Sequence, residues 1–137
     1  MNLRTGIDLI EISRLESLQA EIRARFLKRV YTSTELAEAG NSNATLAGRF
    51  AAKEAVAKAL GTGIGPVSWQ DIEILQGSNK EPVLTLHGPA QRLAKEQQLA
   101  TWSISISHNQ TYAGAIAVAI SEPPAVTMGE QQDTIGS

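Results

Sequence analysis

The stretch Leu46-Ala47-Gly48-Arg49-Phe50-Ala51-Ala52-Lys53-Glu54-Ala55-Val56-Ala57-Lys58-Ala59-Leu60-Gly61 decides how the rest of the chain reads. It holds no proline, a single internal glycine and many alanines, the residue with the best helix propensity, and it stops at a glycine suited to a left-handed cap. At about 100° per residue, Ala52, Ala55, Val56 and Ala59 form a narrow apolar stripe, with Glu54 and Lys58 together well away from it. Small side chains on such a stripe allow close approach to a sheet. This segment is predicted to be the main helix, with a sheet against it.

Strand and cap signals precede it. Leu3, Thr5, Ile7 and Leu9 alternate with Arg4, Gly6, Asp8 and Ile10, the period of a strand with one strongly apolar face, and Asp8 points the other way. Ser13-Arg14-Leu15-Glu16 has capping-box spacing and predicts a helix starting there, carrying Arg14, Leu18, Ile22 and Arg25 on one surface. A second box, Thr32-Ser33-Thr34-Glu35, opens a short helix that Gly40 can end, and Asn41-Ser42-Asn43 reads as a polar connection.

After the main helix, Asp71 to Gln76 and Val83 to His87 flank the turn-rich Gly77-Ser78-Asn79-Lys80, the pattern of a hairpin. Gly88-Pro89 starts a further helix near Ala90 to Gln98, since proline suits the first turn. Trp102, Ile104 and Ile106 share one face of a strand whose other face is Ser103, Ser105 and Ser107, and Tyr112 to Ser121 is apolar enough for a covered strand. The expectation is a single α+β domain over residues 1–122, with a mainly antiparallel sheet packed on the long helix. Periodicity ends at Pro123, and residues 123–137 read as a disordered tail.

Composition narrows the function classes. A 137-residue chain supports one domain, and 12 basic against 14 acidic residues lack the excess of a nucleic-acid binder. The absence of cysteine removes disulfide scaffolds, thiolate metal sites and cysteine nucleophiles. No apolar stretch approaches a membrane span, so the expectation is a soluble, cytoplasmic protein.

Three features depart from what packing alone selects: Asp8 inside a strand pattern, the Arg49/Lys53-Glu54/Lys58 cluster, and His108 directly after the serine-alternating strand. Each has a plain alternative. Asp8 could face water at a frayed edge, Glu54 and Lys58 are an ordinary exposed pair in the favourable order, and His108 could be a loop histidine. If the first strand instead passes beside the main helix, two carboxylates meet a hard cation, and oxygen-only ligands suit Mg²⁺. Lys58 would then lie beside the phosphates that complete the octahedron, a constellation for phosphoryl transfer. Gly61-Thr62-Gly63-Ile64-Gly65 is not a P-loop, because it follows a helix and lacks the Lys-Ser/Thr ending.

Taken together, Gly6-Ile7-Asp8-Leu9-Ile10-Glu11-Ile12, Gly48-Arg49-Phe50-Ala51-Ala52-Lys53-Glu54-Ala55-Val56-Ala57-Lys58-Ala59 and Ser105-Ile106-Ser107-His108 resemble, in order, the motifs of the holo-acyl-carrier-protein synthase family. The resemblance runs from about Leu3 to about Ile120. It implies the 4'-phosphopantetheinyl transferase fold and a homotrimer with sites at subunit interfaces. The implied reaction moves 4'-phosphopantetheine from coenzyme A to a serine of apo-acyl-carrier protein, in fatty acid biosynthesis. By the same resemblance Asp8 and Glu54 bind Mg²⁺ (or Mn²⁺), and Lys58 handles phosphate and the leaving group. Glu54 or a water takes the serine proton. Arg49, Lys53, Gly61 and His108 line the coenzyme pocket, and Arg14, Leu18 and Arg25 dock the carrier. Glu21 and Ile22 stand where some relatives carry another basic residue, and Asn109-Gln110-Thr111 replaces the threonine that commonly follows the histidine.

Overall fold

The computed structural model describes residues 1–122; the expected tail, 123–137, lies outside the described residues. In chain order the elements are β1 (Leu3–Glu11), α1 (Ser13–Glu16), α2 (Ala20–Val30), α3 (Ser33–Ala39) and α4 (Asn43–Ala59). A 3₁₀ turn (Trp69–Asp71), β2 (Ile72–Gln76), β3 (Pro82–Leu86), α5 (Gly88–Glu96), β4 (Leu99–His108) and β5 (Tyr112–Ser121) follow. β1, β5 and β4 form an antiparallel sheet with β5 in the centre, and β2 and β3 form a separate antiparallel hairpin. The α+β expectation, an antiparallel sheet on a long helix, describes this arrangement.

α4 lies across the sheet. Ser42 caps it, its hydroxyl accepting the Thr45 amide at 3.1 Å, so the helix begins before the expected Leu46. At the other end Gly61 has φ 87°, the Gly61 amide bonds to the Lys58 carbonyl at 2.9 Å, and the Thr62 amide bonds to that of Ala57 at 3.3 Å. That pair of bonds is a Schellman ending, which needs the left-handed residue that glycine supplies. Between Leu46 and Leu60 only Phe50, Glu54 and Lys58 escape full burial, at four-residue spacing. The expected stripe of Ala52, Ala55, Val56 and Ala59 is buried, with Glu54 and Lys58 away from it, but burial extends much further: the helix is covered nearly all round, with one narrow open line. The sheet covers one side while α3 and β2 cover another.

The contact between α4 and the sheet rests on small residues. Gly6, Ala117 and Ile104 form one row across the inner face, and Asp8, Ala115 and Ile106 form the next. A Cβ placed on Gly6 would stand 1.8 Å from the Ala55 carbonyl oxygen and 3.0 Å from the Ala59 amide nitrogen. The backbones of β1 and α4 thus approach as closely as they can without a side chain between them. The alternate residues of β1, which carry its apolar pattern, face away from the helix: Leu3, Ile7 and Leu9 are 67%, 69% and 65% exposed.

The expected helix from Ser13 is broken into α1 and α2. No side-chain cap forms at its start, where Ile12 is the cap residue, and Arg23 Nη1 donates to the Leu15 carbonyl at 3.0 Å to hold the two pieces together. Leu15 is buried in the core, and the chain turns after it before α2 can bury Val30. The Thr32 box does form, with the Thr32 hydroxyl accepting the Glu35 amide at 3.2 Å and Glu35 accepting the Thr32 amide at 2.8 Å.

Candidate functional site

Glu54 and Lys58 lie one turn apart on the open line of α4, and β1 crosses beside them. The Gly6 contact sets the distance, and Asp8, two residues further along the same face, projects toward the helix. Lys58 Nζ donates to Asp8 Oδ1 at 3.1 Å and to the Ile7 carbonyl at 2.8 Å. Asp8 is therefore a mid-strand, helix-facing carboxylate, not a frayed edge residue. The ordinary Glu54–Lys58 pair does not form. Glu54 Oε1 instead accepts the indole N–H of Trp69 at 3.0 Å.

Two carboxylates from distant parts of the chain and an ammonium thus share one side of the β1–α4 seam. Among the described residues no group of three or more histidines, cysteines, aspartates or glutamates surrounds a common point. A cage built wholly from protein is therefore absent there, but the donor set suits Mg²⁺. That ion takes one or two carboxylates and leaves its other positions to water and substrate phosphate. Lys58 has three N–H donors, two of them engaged, which leaves one for an anion.

Lys53, expected to line the coenzyme pocket, is corrected. Its ammonium is fully buried, bridged to the equally buried Glu35 at 2.8 Å, and donates to the carbonyls of Trp69 at 2.9 Å and Ile72 at 2.6 Å. Burial lowers its pKa, with the neighbouring Glu35 opposing that shift. Glu35 also accepts the Ile74 amide at 2.8 Å, so this pair locks α4 to α3 and the β2 hairpin. The adjacent residues Lys53 and Glu54 point about 100° apart on the helix, one inward and one outward.

Arg49 and His108 meet elsewhere. They line a cleft of about 190 Å³ with Gly48, Thr45, Lys80 and Ile106, and Arg49 pairs with Glu38 at 2.8 Å. This cleft opens beside the N-terminal half of α4, whereas Asp8, Glu54 and Lys58 flank its C-terminal half. A single copy of the chain does not bring the two groups into one pocket. The larger cavity, about 930 Å³ between β3, α5 and β4, is lined by none of the expected residues. Gly61 ends α4, and the amides of Gly61, Gly63 and Gly65 all donate to backbone carbonyls, which supports rejecting a phosphate loop.

The expected docking residues do not share a helix: exposed Arg14 is in α1, half-buried Leu18 is in the connection, and exposed Arg25 is in α2. Asn109 has a local task, its Oδ1 accepting the amides of Thr111 at 2.8 Å and Tyr112 at 2.7 Å to shape the β4–β5 turn. Sequence reasoning missed Trp69 and Glu35. A tryptophan beside short polar residues was a usable signal, because a covered indole N–H needs an acceptor.

Comparison with known proteins identifies the family and the fold. The family model described as the 4'-phosphopantetheinyl transferase superfamily matches residues 4–117. A holo-[acyl-carrier-protein] synthase of Moorella thermoacetica is 47% identical over 119 residues, spanning 85% of this chain and 92% of the relative. The crystal structure of the Helicobacter pylori holo-[acyl-carrier-protein] synthase in complex with coenzyme A superposes with a TM-score of 0.77. It has 32% identity and covers 85% of this chain and 99% of that one. The Neisseria meningitidis enzyme gives a TM-score of 0.78 at 34% identity, covering 86% and 98%. Motif order, fold and sequence identity coincide over nearly the whole described region, and the chain belongs to the holo-[acyl-carrier-protein] synthase family of 4'-phosphopantetheinyl transferases.

Proposed function

We propose that the chain moves 4'-phosphopantetheine from coenzyme A to a serine of apo-acyl-carrier protein, in fatty acid biosynthesis, with Asp8, Glu54 and Lys58 as the reacting site. The observation that carries the site assignment is the Lys58–Asp8 contact of 3.1 Å, with Glu54 one helical turn away on the same open line. The serine oxygen attacks the β-phosphorus of the coenzyme A pyrophosphate. A new O–P bond forms, the P–O bond to adenosine 3',5'-bisphosphate breaks, and the serine proton passes to Glu54 or a water.

Asp8 and Glu54 would hold Mg²⁺, which when bound supplies positive charge to the pyrophosphate oxygens. Lys58 orients and neutralises the phosphate nearest it with its remaining N–H, and its bonds to Asp8 and the Ile7 carbonyl fix where that ammonium stands. Arg49 and His108 bind another part of the coenzyme. Because their cleft lies apart from the carboxylates within one chain, the reading has the complete site formed between neighbouring copies, as a homotrimer. The exposed apolar outer face of the sheet supports such an assembly, with Ile7 69%, Leu9 65%, Ile116 42% and Tyr112 40% exposed.

The α1–α2 corner, with Arg14, Leu18 and Arg25, receives the acidic helix of the carrier. Among the described residues no helix is long and apolar enough to cross a membrane. A cytoplasmic reaction is part of the proposal, and the cysteine-free sequence is compatible with it. The test is incubation with apo-acyl-carrier protein, coenzyme A and Mg²⁺, followed by mass spectrometry of the carrier. The phosphopantetheine mass should appear on its serine. A panel that includes polyketide and peptide-synthetase carriers identifies the preferred acceptor, and an unmodified carrier throughout would overturn the reading.

A further inference from the structure

Glu54 is oriented from outside α4. Its Oε1 accepts the Trp69 indole N–H at 3.0 Å, and among the described residues Oε2 accepts no protein hydrogen bond. Trp69 is in turn held at three points. Its carbonyl accepts from the buried Lys53 ammonium at 2.9 Å, its ring packs on Phe50 with centroids 6.1 Å apart, and the Arg29 guanidinium lies 5.5 Å from its centroid. Asp71 fixes the turn itself by accepting the Ser68 amide at 3.0 Å. An indole N–H clamped at both backbone and ring is a fixed donor, and a fixed donor on one carboxylate oxygen selects one rotamer of a glutamate that otherwise sweeps solvent.

We propose that Trp69 is a positioning residue for Glu54: its N–H holds Oε1 so that Oε2 is presented, pre-oriented, to the divalent cation. This inference rests on the metal role given to Glu54 above. It gives Trp69, which sequence reasoning did not single out, a part in arranging the reacting site. It also gives the buried Lys53 a link to chemistry through the Trp69 carbonyl, without contact with any ligand. The hydrogen-bonded partners of metal-binding side chains typically change metal affinity or activity about 10–100-fold when lost.

Trp69→Phe keeps the aromatic packing and removes only the N–H. The full-length protein and this variant are titrated with Mn²⁺, with and without saturating coenzyme A, by calorimetry, and circular dichroism confirms that both are folded. The dissociation constant for Mn²⁺ should rise about 10-fold or more in the variant, while coenzyme A binding measured without metal stays within about twofold. A second readout is the indole N–H resonance of Trp69, assigned by its absence in Trp69→Phe. It should move on Mn²⁺-free addition of Mg²⁺ to the parent protein, and also in Glu54→Gln, whereas a ring that only packs would leave it in place. If Trp69→Phe binds Mn²⁺ as tightly as the parent, or if Glu54→Gln leaves the resonance unmoved, the positioning role is overturned while carrier modification stands. If the parent neither binds metal nor modifies the carrier, the functional reading fails first and this inference with it.

Discussion

The two lysines of the Lys53-Glu54-Ala55-Val56-Ala57-Lys58 segment should respond to the same substitution in opposite ways. Lys53→Met leaves the Glu35 carboxylate in the interior without its counter-charge and deprives the Trp69 and Ile72 carbonyls of a donor. Removing one partner of a buried pair costs about 3–5 kcal/mol. The low end applies here, because Glu35 keeps the Thr32 and Ile74 amides, each at 2.8 Å. About 3 kcal/mol is a large part of the roughly 5–15 kcal/mol that stabilises an ordinary domain, and in urea it moves the midpoint by at least about 1 M. Lys58→Met removes a half-exposed pair, whose loss costs no more than about 1 kcal/mol, but it should slow transfer by about 10²–10³-fold through loss of a phosphate-facing donor. Equilibrium urea unfolding followed by circular dichroism, beside a carrier-modification rate, measures both. Adding Glu35→Gln to Lys53→Met should recover part of the lost stability, since the unpaired charge is then gone. A Lys53→Met protein within 1 kcal/mol of the parent, or no recovery in the double variant, would refute the buried-pair argument.

Gly6→Ala should destabilise by about 3 kcal/mol or more, the upper part of the range for overpacking, because the new methyl meets the Ala55 backbone and neither element can yield locally. Thermal melting would detect it, and a variant that melts with the parent would mean that β1 and α4 are further apart. Glu73 is held below the ordinary 4.5 chiefly by the hydrogen bond from Thr32, with His87 and Lys53 adding to it against the cost of burial. Its folded pKa is depressed, so the stability it contributes is present above pH 4.5 and is lost as pH falls through the lower folded value. Glu73→Gln should therefore flatten that part of the acid loss in melting temperatures taken from pH 7 to 3; an unchanged slope would remove Glu73 from the account. Ile7→Asp with Leu9→Asp places charge on the outer sheet face and should convert the proposed trimer to smaller species in size-exclusion light scattering. An unaltered trimer mass would move the interface elsewhere.

How much of this was legible depended on whether a residue's partner lay nearby in sequence. The Thr32–Glu35 box closes within one turn, the alternation of β4 is set by the pleat, and Gly61 ends α4 through bonds to residues of the same helix; local chemistry decides each. The Ser13 box has the same letters but did not cap, because the burial of Leu15 and the turn into α2 outweighed a hydrogen bond worth about 1 kcal/mol. Asp8 could be singled out because a carboxylate is costly inside a strand, whereas Glu54 could not: an exposed glutamate four residues before a lysine is ordinary helix surface, and only family resemblance raised it. Lys53 was misplaced for a related reason. Nothing in its neighbours distinguishes it from Lys58, and its burial is decided by Glu35, eighteen positions earlier and on another helix. The same distance effect hid Trp69, whose partner precedes it by fifteen residues across a loop. Function here therefore sits where local grammar is weakest. The two carboxylates proposed to react, and the tryptophan bonded to one of them, are brought together only by the packing of β1 and the post-helix turn against α4, and that packing depends on a glycine whose importance is a missing side chain.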